Sequence, residues 1–288
     1  MTLQLRVPLL NARTVEPTAL GGRFSVRPAT EEELACWAAD PHVRDVVPHR
    51  VMPHIRSVLI VEETALKPSV EQEEDVGALL ALCSLYARRP VETAFAERWL
   101  LPDGDDGREP QQIGGTLHLP TMLPVSFAPP PMGPIYIDTF AQRLRTQLPI
   151  FRSGISFAPA FRYALARWHL GSSRSMYEDH LLDFWIALEA IFVHPEDHGD
   201  RSRLLRDRIS GWFVATGGKG RRKMKADVYD AYDVRSRVTH GVVVDEARLS
   251  HTVTFLDRVL VAVLGDFVAG DLPDFDPRRY DAPGAAST

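Results

Sequence analysis

The pattern of apolar and polar positions changes character about halfway along the chain. In the first part, short β-branched or alternating apolar runs between glycines and prolines predict strands, in "LQLRVPLL", "GRFSVRP" and "RSVLIVEET". Two stretches predict helices: "ATEEELACWAA", which Thr30 and Glu33 open as a capping box, and "EEDVGALLALCSLYARR". Residues 1–134 are therefore predicted to form a mixed α+β domain that ends in a proline-rich connector.

From residue 135 onwards the spacing of apolar residues is helical almost throughout. It predicts helices in "YIDTFAQRLRTQL", "APAFRYALARWHLG", "SMYEDHLLDFWIALEAIF", "DRSRLLRDRISGWFVA", "ADVYDAYDVRSRVTHG" and "DEARLSHTVTFLDRVLVAVLGDFV". The third of these is apolar on nearly all sides, as expected of a buried helix, and "TGGKGRRKMK" predicts a basic turn. We therefore expect an all-α helical bundle over 135–269, followed by a disordered tail over 270–288.

Composition narrows the classes of function. The chain has 288 residues, 45% hydrophobic and 25% charged, and a net charge of -5, so nucleic acid would have to bind a local basic patch. Cys36 and Cys83 are far apart and match no metal-ligand pattern, which favours reduced thiols. No apolar run approaches the ~18 residues of a membrane span, and the first residues do not resemble a signal peptide. We expect a cytoplasmic protein without membrane contact.

The candidate chemistry lies at the end of one predicted helix. Arg235 and His240 stand five positions apart, and Gly241 follows as a helix stop. An imidazole exchanges a proton near neutral pH, and a guanidinium binds phosphate oxygens with a planar fork of donors. The alternative is that both residues only stabilise the carboxyl end of the helix, where the helix dipole favours positive charge.

The order of segments around this pair is similar to a known family. "MYEDHLLDFWIALEAIF", then a basic helix and turn, then "VYDAYDVRSRVTHG", resembles the Apea-like branch of the HEPN proteins, over roughly 157–267. The family signature is an arginine, four to six residues, and a histidine at the end of a bundle helix, which Arg235 and His240 match. Ser236 stands where many catalytic members have Asn or Asp.

The resemblance implies a bundle of four or five helices and a metal-independent ribonuclease. It implies a homodimer in which both Arg/His sets line one cleft, with RNA as substrate. Members act in toxin–antitoxin modules and antiphage defence, so an antitoxin or defence-system partner is a further expectation. Other members have lost the motif, which leaves open a non-catalytic scaffold that binds a partner protein or a nucleotide.

Further polar residues are candidates around this pair. We expect Glu189, Asp183 and Ser236 to support it, with Glu189 holding Arg235, because an acid in an apolar helix needs a partner or a route to water. Five cations would contact the RNA backbone, or else form a solvated turn: Lys219, Arg221, Arg222, Lys223 and Lys225. We predict no metal and no cofactor, since "HPEDHGD" offers two histidines in a loop with no further ligand at a recognisable spacing.

Overall fold

A computed structural model describes residues 2–47, 52–63, 70–89, 91–93, 95–102, 109–113, 135–155, 159–269 and 275–281. The chain divides into two compact units, 1–153 and 154–288. The division falls later than the predicted boundary at 134, because the segment after it belongs to the first unit. Residues Ile135–Tyr136 pair with Ala12–Arg13, a contact between distant parts of the chain that the proline-rich composition does not reveal. The predicted connector over 120–134 lies outside the described residues.

The first unit contains an antiparallel sheet. The strands are β1 (Thr2–Leu10), β2 (Ala12–Arg13), β3 (Thr18–Gly21), β4 (Phe24–Pro28), β5 (Ile55–Glu63), β6 (Glu97–Leu101), β7 (Gln111–Gln112) and β8 (Ile135–Tyr136). In the described residues six strands form the main sheet, in the order β3-β4-β5-β1-β6-β7, and β2 pairs with β8 in parallel. The three predicted strands correspond to β1, β4 and β5. Strand β1 buries alternate residues up to Val7, as period-two patterning requires, and its last residues up to Leu10 are all buried.

The helices of the first unit are α1 (Glu31–Ala39), α2 (Pro41–Val46), α3 (Val70–Ala87) and α4 (Ala141–Ile155). The predicted capping box at the start of α1 is present: the Glu33 amide donates to Thr30 Oγ1, and the Thr30 amide donates to the Glu33 carboxylate at 3.0 Å. Glu33 also accepts from Arg27 at 2.7 Å and Arg6 at 3.2 Å, which fastens α1 to the sheet. Burial alone raises the pKa of Glu33, but these hydrogen bonds bring the pKa below its ordinary value.

Every element described in the second unit is helical. The α-helices are α5 (Pro159–Ser172), α6 (Tyr177–Phe192), α7 (Arg201–Ala215), α8 (Arg221–Thr239) and α9 (Glu246–Val268), and one 3₁₀ turn covers Pro277–Tyr280. Helix α5 packs on α6, α7 on α8, and α6 on α9. Helix α6 is buried on several sides, as its apolar pattern predicted. None of the helices in the described part of the chain has the length and apolarity that a membrane crossing requires.

Residues 275–281 are an exception to the disorder expected of 270–288. The ring of Phe275 meets the ring of Phe192 edge-on at 5.7 Å. Arg208, which is 1% exposed, donates from Nε to Asp281 at 2.7 Å and from Nη2 to Asp197 at 3.0 Å. The fixed position of this segment therefore comes from a buried guanidinium on α7, a contact that local composition does not indicate.

Candidate functional site

The carboxyl end of α8 has the stop that the sequence predicted. The helix ends at Thr239, and His240 is the C-cap residue with φ −89° and ψ 10°. Gly241 has a φ of +72°, a backbone conformation that glycine adopts without strain. The Gly241 amide donates to the Val238 carbonyl at 3.0 Å and the Val242 amide donates to the Arg237 carbonyl at 2.9 Å, which closes the last turn.

Arg235 and His240 do not come together within one chain. Five steps along a helix rotate by about 500°, which leaves the two side chains about 140° apart around α8. The His240 amide still donates to the Ser236 carbonyl at 3.1 Å, so the backbone follows the helix up to His240 and reverses only at Gly241. No hydrogen bond or ion pair joins the two side chains in the described part of the protein. The side chain of His240 therefore does not lie beside that of Arg235.

The environments of the two side chains differ. Arg235 is half-buried, and its Nε is shielded from solvent without a hydrogen-bond partner among the described residues. His240 and the residues after it are exposed, with Val243 89% exposed. Ser236, beside Arg235, is half-buried. The end of α8 thus has a half-buried guanidinium on one side and an exposed histidine on another.

Glu189 is not paired with Arg235, contrary to prediction. Its carboxylate accepts a hydrogen bond from Trp185 Nε1 at 2.8 Å, one turn earlier on α6. The Trp185 ring in turn lies 5.7 Å from the ring of Tyr232 on α8. The half-buried carboxylate therefore has a neutral partner on its own helix, which the i, i+4 spacing allows.

Asp183 also belongs to a different arrangement. It is 4% exposed and accepts from Arg167 Nη1 at 2.9 Å and from Arg174 Nε at 3.0 Å. Arg167 lies on α5 and donates from Nε to Tyr163 at 3.0 Å. A buried carboxylate needs charge compensation, and two arginines supply it here. Asp183 fastens α5 to α6, and among the described residues it has no hydrogen bond or ion pair with Arg235 or His240.

The predicted basic turn is partly helical, since α8 begins at Arg221. Lys223 pairs with Asp227 at 2.8 Å, and Lys225 pairs with Asp207 at 2.5 Å. Within the described residues the other three cations have no such partner: Lys219, Arg221 and Arg222.

The amino end of α8 has no side-chain cap. Gly220 is its N-cap residue, and the first turn contains no acid. Free amide donors and the positive end of the helix dipole therefore lie beside Lys219, Arg221 and Arg222, an arrangement that favours anions.

The sequence did not predict the cleft that lies between α8 and α9. Helix α8 packs mainly on α7, and α9 mainly on α6, which leaves a space of about 250 Å³ between α8 and α9. The spacing of polar residues on α9, at His251, Thr254 and Arg258, is the signal that identifies an exposed face in an otherwise apolar helix. The cleft is lined by Lys223, Asp227, Asp230, Ala231, His251, Thr252, Thr254, Phe255 and Arg258.

Comparison with known proteins leaves the family open. No family model, curated protein or solved structure matches this chain. In the part of the chain that the structure describes, no group of three or more His, Cys, Asp or Glu side chains has an arrangement that fits a metal ion. Fold and site define a mixed α+β protein whose second unit is helical where it is described, with polar groups concentrated along α8.

Proposed function

We propose that the chain is a metal-independent RNA endonuclease of the HEPN type, with a bundle of that type in its second unit. The observation that carries the proposal is the end of α8. The guanidinium of Arg235 has no hydrogen bond or ion pair in the described residues, and His240 is exposed five residues later.

The chemistry follows from these two groups. An imidazole takes the proton from the 2′-hydroxyl, whose oxygen attacks the adjacent phosphorus, and the bond from phosphorus to the 5′-oxygen breaks. A second imidazole, in its protonated form, donates a proton to the leaving 5′-oxygen. The products are a 2′,3′-cyclic phosphate and a 5′-hydroxyl. Arg235 stabilises the extra negative charge on the phosphate oxygens, a contribution of about 3–4 kcal/mol to the barrier for a preorganised donor.

A homodimer supplies the second imidazole. Within one chain Arg235 and His240 lie on different sides of α8, so a single copy provides an incomplete site. A two-fold axis near the end of α8 would bring both Arg235 and both His240 side chains of the dimer to one cleft, and would complete a single site with two imidazoles. Val242 and Val243, which are 45% and 89% exposed, lie in the same turn and offer an apolar surface for a second copy.

The RNA backbone is expected to contact the amino end of α8. Lys219, Arg221 and Arg222 lie beside free helix amides there. Lys223 and Lys225 contribute less, because each already neutralises an aspartate. Affinity for RNA should therefore fall with salt, with a slope that corresponds to about three phosphate contacts per chain. In the cell such a nuclease would act as a defence or toxin effector, with the first unit sensing or restraining it.

The test compares the wild type with Arg235→Ala, His240→Ala and the double variant, on labelled RNA in the presence of EDTA. We expect the wild type to leave 2′,3′-cyclic ends, and each variant to lose at least about 100-fold in rate. Arg237→Ala is the matched control, since it removes a cation from the same turn of α8. A 2′-deoxy substitution at the cut position should block cleavage. Equal cleavage by the wild type and the double variant would refute the proposal.

A non-catalytic HEPN scaffold that binds a partner protein or a nucleotide is the second candidate. The separation of Arg235 from His240 within one chain favours it, because a scaffold needs no such convergence. Expression in cells separates the two functions. Growth arrest by the wild type that His240→Ala relieves would contradict the scaffold, and harmless expression of both would favour it.

A further inference from the structure

The cleft between α8 and α9 has two free charged groups of opposite sign. Lys223 and Asp227 neutralise each other at its edge, at 2.8 Å. Asp230 on α8 and Arg258 on α9 are exposed and have no hydrogen bond or ion pair in the described part of the chain. Phe255 is half-buried and supplies an apolar wall. The cleft therefore fits a small ligand with an anionic group, an aromatic or apolar face and an edge of hydrogen-bond donors.

A nucleotide has these three features. Its phosphate matches the fork of Arg258, and its base can pack on Phe255, as bases do on aromatic side chains. The space of about 250 Å³ lies below the usual range of about 300–1,000 Å³ for ligand pockets, so it would hold part of one nucleotide and leave the rest in solvent.

The free carboxylate selects among the bases. Ionised Asp230 only accepts hydrogen bonds, and it has two oxygens to do so. Guanine offers two adjacent N–H donors on its pairing edge, whereas the donors of adenine, cytosine and uracil stand next to acceptor atoms that a carboxylate repels. We infer that the α8–α9 cleft binds one guanine nucleotide of the RNA. The inference rests on the proposed function, because it takes RNA as the ligand.

The cleft continues towards the candidate catalytic residue. Lys223, Asp227, Ala231 and Arg235 follow one another at intervals of four, so they form one stripe along α8. Arg235 lies one turn beyond the cleft, about 6 Å along the helix axis from Ala231. A guanine nucleotide in the cleft would place its neighbouring phosphate close to Arg235, and would direct cleavage to a position next to a guanosine.

The test titrates the full-length chain with GMP, AMP, CMP and UMP by calorimetry. We expect GMP to bind at least about tenfold more tightly than the others, since a good bidentate contact gives discrimination of this order. Asp230→Asn should remove the preference for GMP. Arg258→Gln should weaken the binding of all four nucleotides. It should leave the binding of guanosine, which has no phosphate, nearly unchanged. Asp233→Asn is the matched control, because Asp233 is on the same helix but pairs with Arg248 outside the cleft.

The outcomes separate this inference from the proposed function. Equal binding of the four nucleotides, or no saturable binding of GMP, overturns the inference even where the chain cuts RNA. A GMP preference that Asp233→Asn retains and Asp230→Asn removes supports it, even where the cleavage assay is negative.

Discussion

His169 should make the protein sensitive to mild acid. It lies in α5 with 0% of its surface exposed, and neither ring nitrogen has a hydrogen-bond partner in the described residues. Burial lowers the pKa of His169 to about 4 from 6.5, because the interior does not solvate the charged ring. The folded chain thus binds fewer protons than the unfolded chain between these two values. The contribution of neutral His169 to the free energy of unfolding is therefore fully present above pH 6.5, and it is lost as the pH decreases towards 4.

The size of the effect follows from the two pKa values. A difference of one bound proton changes the free energy of unfolding by about 1.4 kcal/mol per pH unit. With partial protonation at pH 7 and at pH 5 included, His169 alone should lower the free energy of unfolding by about 2 kcal/mol between these two pH values. Other groups titrate in this range as well, so the measured quantity is the difference between the wild type and His169→Leu.

Denaturant unfolding at pH 7 and pH 5 measures this difference. On going from pH 7 to pH 5, the free energy of unfolding of the wild type should fall by about 2 kcal/mol more than that of His169→Leu. At pH 7 the variant should be as stable as the wild type or more so, since it removes two buried ring nitrogens without partners. His198→Ala, at an exposed position, should retain the wild-type loss. If the wild type and His169→Leu lose equally, the ring must be solvated or partnered in the folded state, and the reasoning is refuted.

Three further substitutions test the packing. Arg208→Ala should cost about 3–5 kcal/mol in the free energy of unfolding, because it leaves two carboxylates without their buried cation, and a loss below about 1 kcal/mol would contradict this. Gly171→Ala should cost about 1–3 kcal/mol, since the added Cβ would lie 2.6 Å from the Phe184 ring, and Phe184→Leu should relieve part of the loss. Gly241→Ala should cost about 1 kcal/mol through its positive φ, measured as a lower thermal midpoint.

Local signals accounted for most of the helices. The start of α7 is an example, because Asp200 accepts from the amides of Ser202 and Arg203, and this kind of cap depends only on neighbouring residues. The stripe on α9 is another, since Leu249, Leu256 and Leu260 are buried as their spacing predicted. Helix ends and faces were predictable because the information lies within one or two turns.

The short strands depend on distant partners. Strands β2, β7 and β8 have two residues each, and none carries a period-two pattern long enough to recognise. Strand β8 exists because it pairs with β2, more than a hundred positions earlier. Most of helix α4 also belongs to the first unit, so the division falls at 153 rather than at the predicted 134. Composition indicates where a chain cannot form a regular helix or strand, but it does not show which distant segments pair with each other.

Predictions about the candidate site also held where the signal is local and failed where it depends on a distant residue. The stop at Gly241 and the exposure of His240 follow from local chemistry. The assignment of Glu189 to Arg235 failed, because the rule that a buried acid needs a partner does not identify the partner. Trp185, on the same helix at i−4, satisfies Glu189 and leaves the Nε of Arg235 without a partner in the described residues.

That failure strengthens the chemical interpretation of Arg235. A guanidinium held by a carboxylate would have much of its charge neutralised before a phosphate arrived, and would stabilise a transition state less. With Glu189 bound to an indole, the charge of Arg235 remains available to an anion, and the burial of its Nε lowers the local dielectric constant in which that charge acts. Restoring the expected pair should therefore reduce the proposed RNA cleavage rather than raise it. Trp185→Phe removes the indole donor and frees Glu189, so we expect it to slow cleavage, while Trp185→Phe combined with Glu189→Gln should recover the wild-type rate. Equal rates for the wild type and both variants would show that a freed Glu189 does not neutralise Arg235.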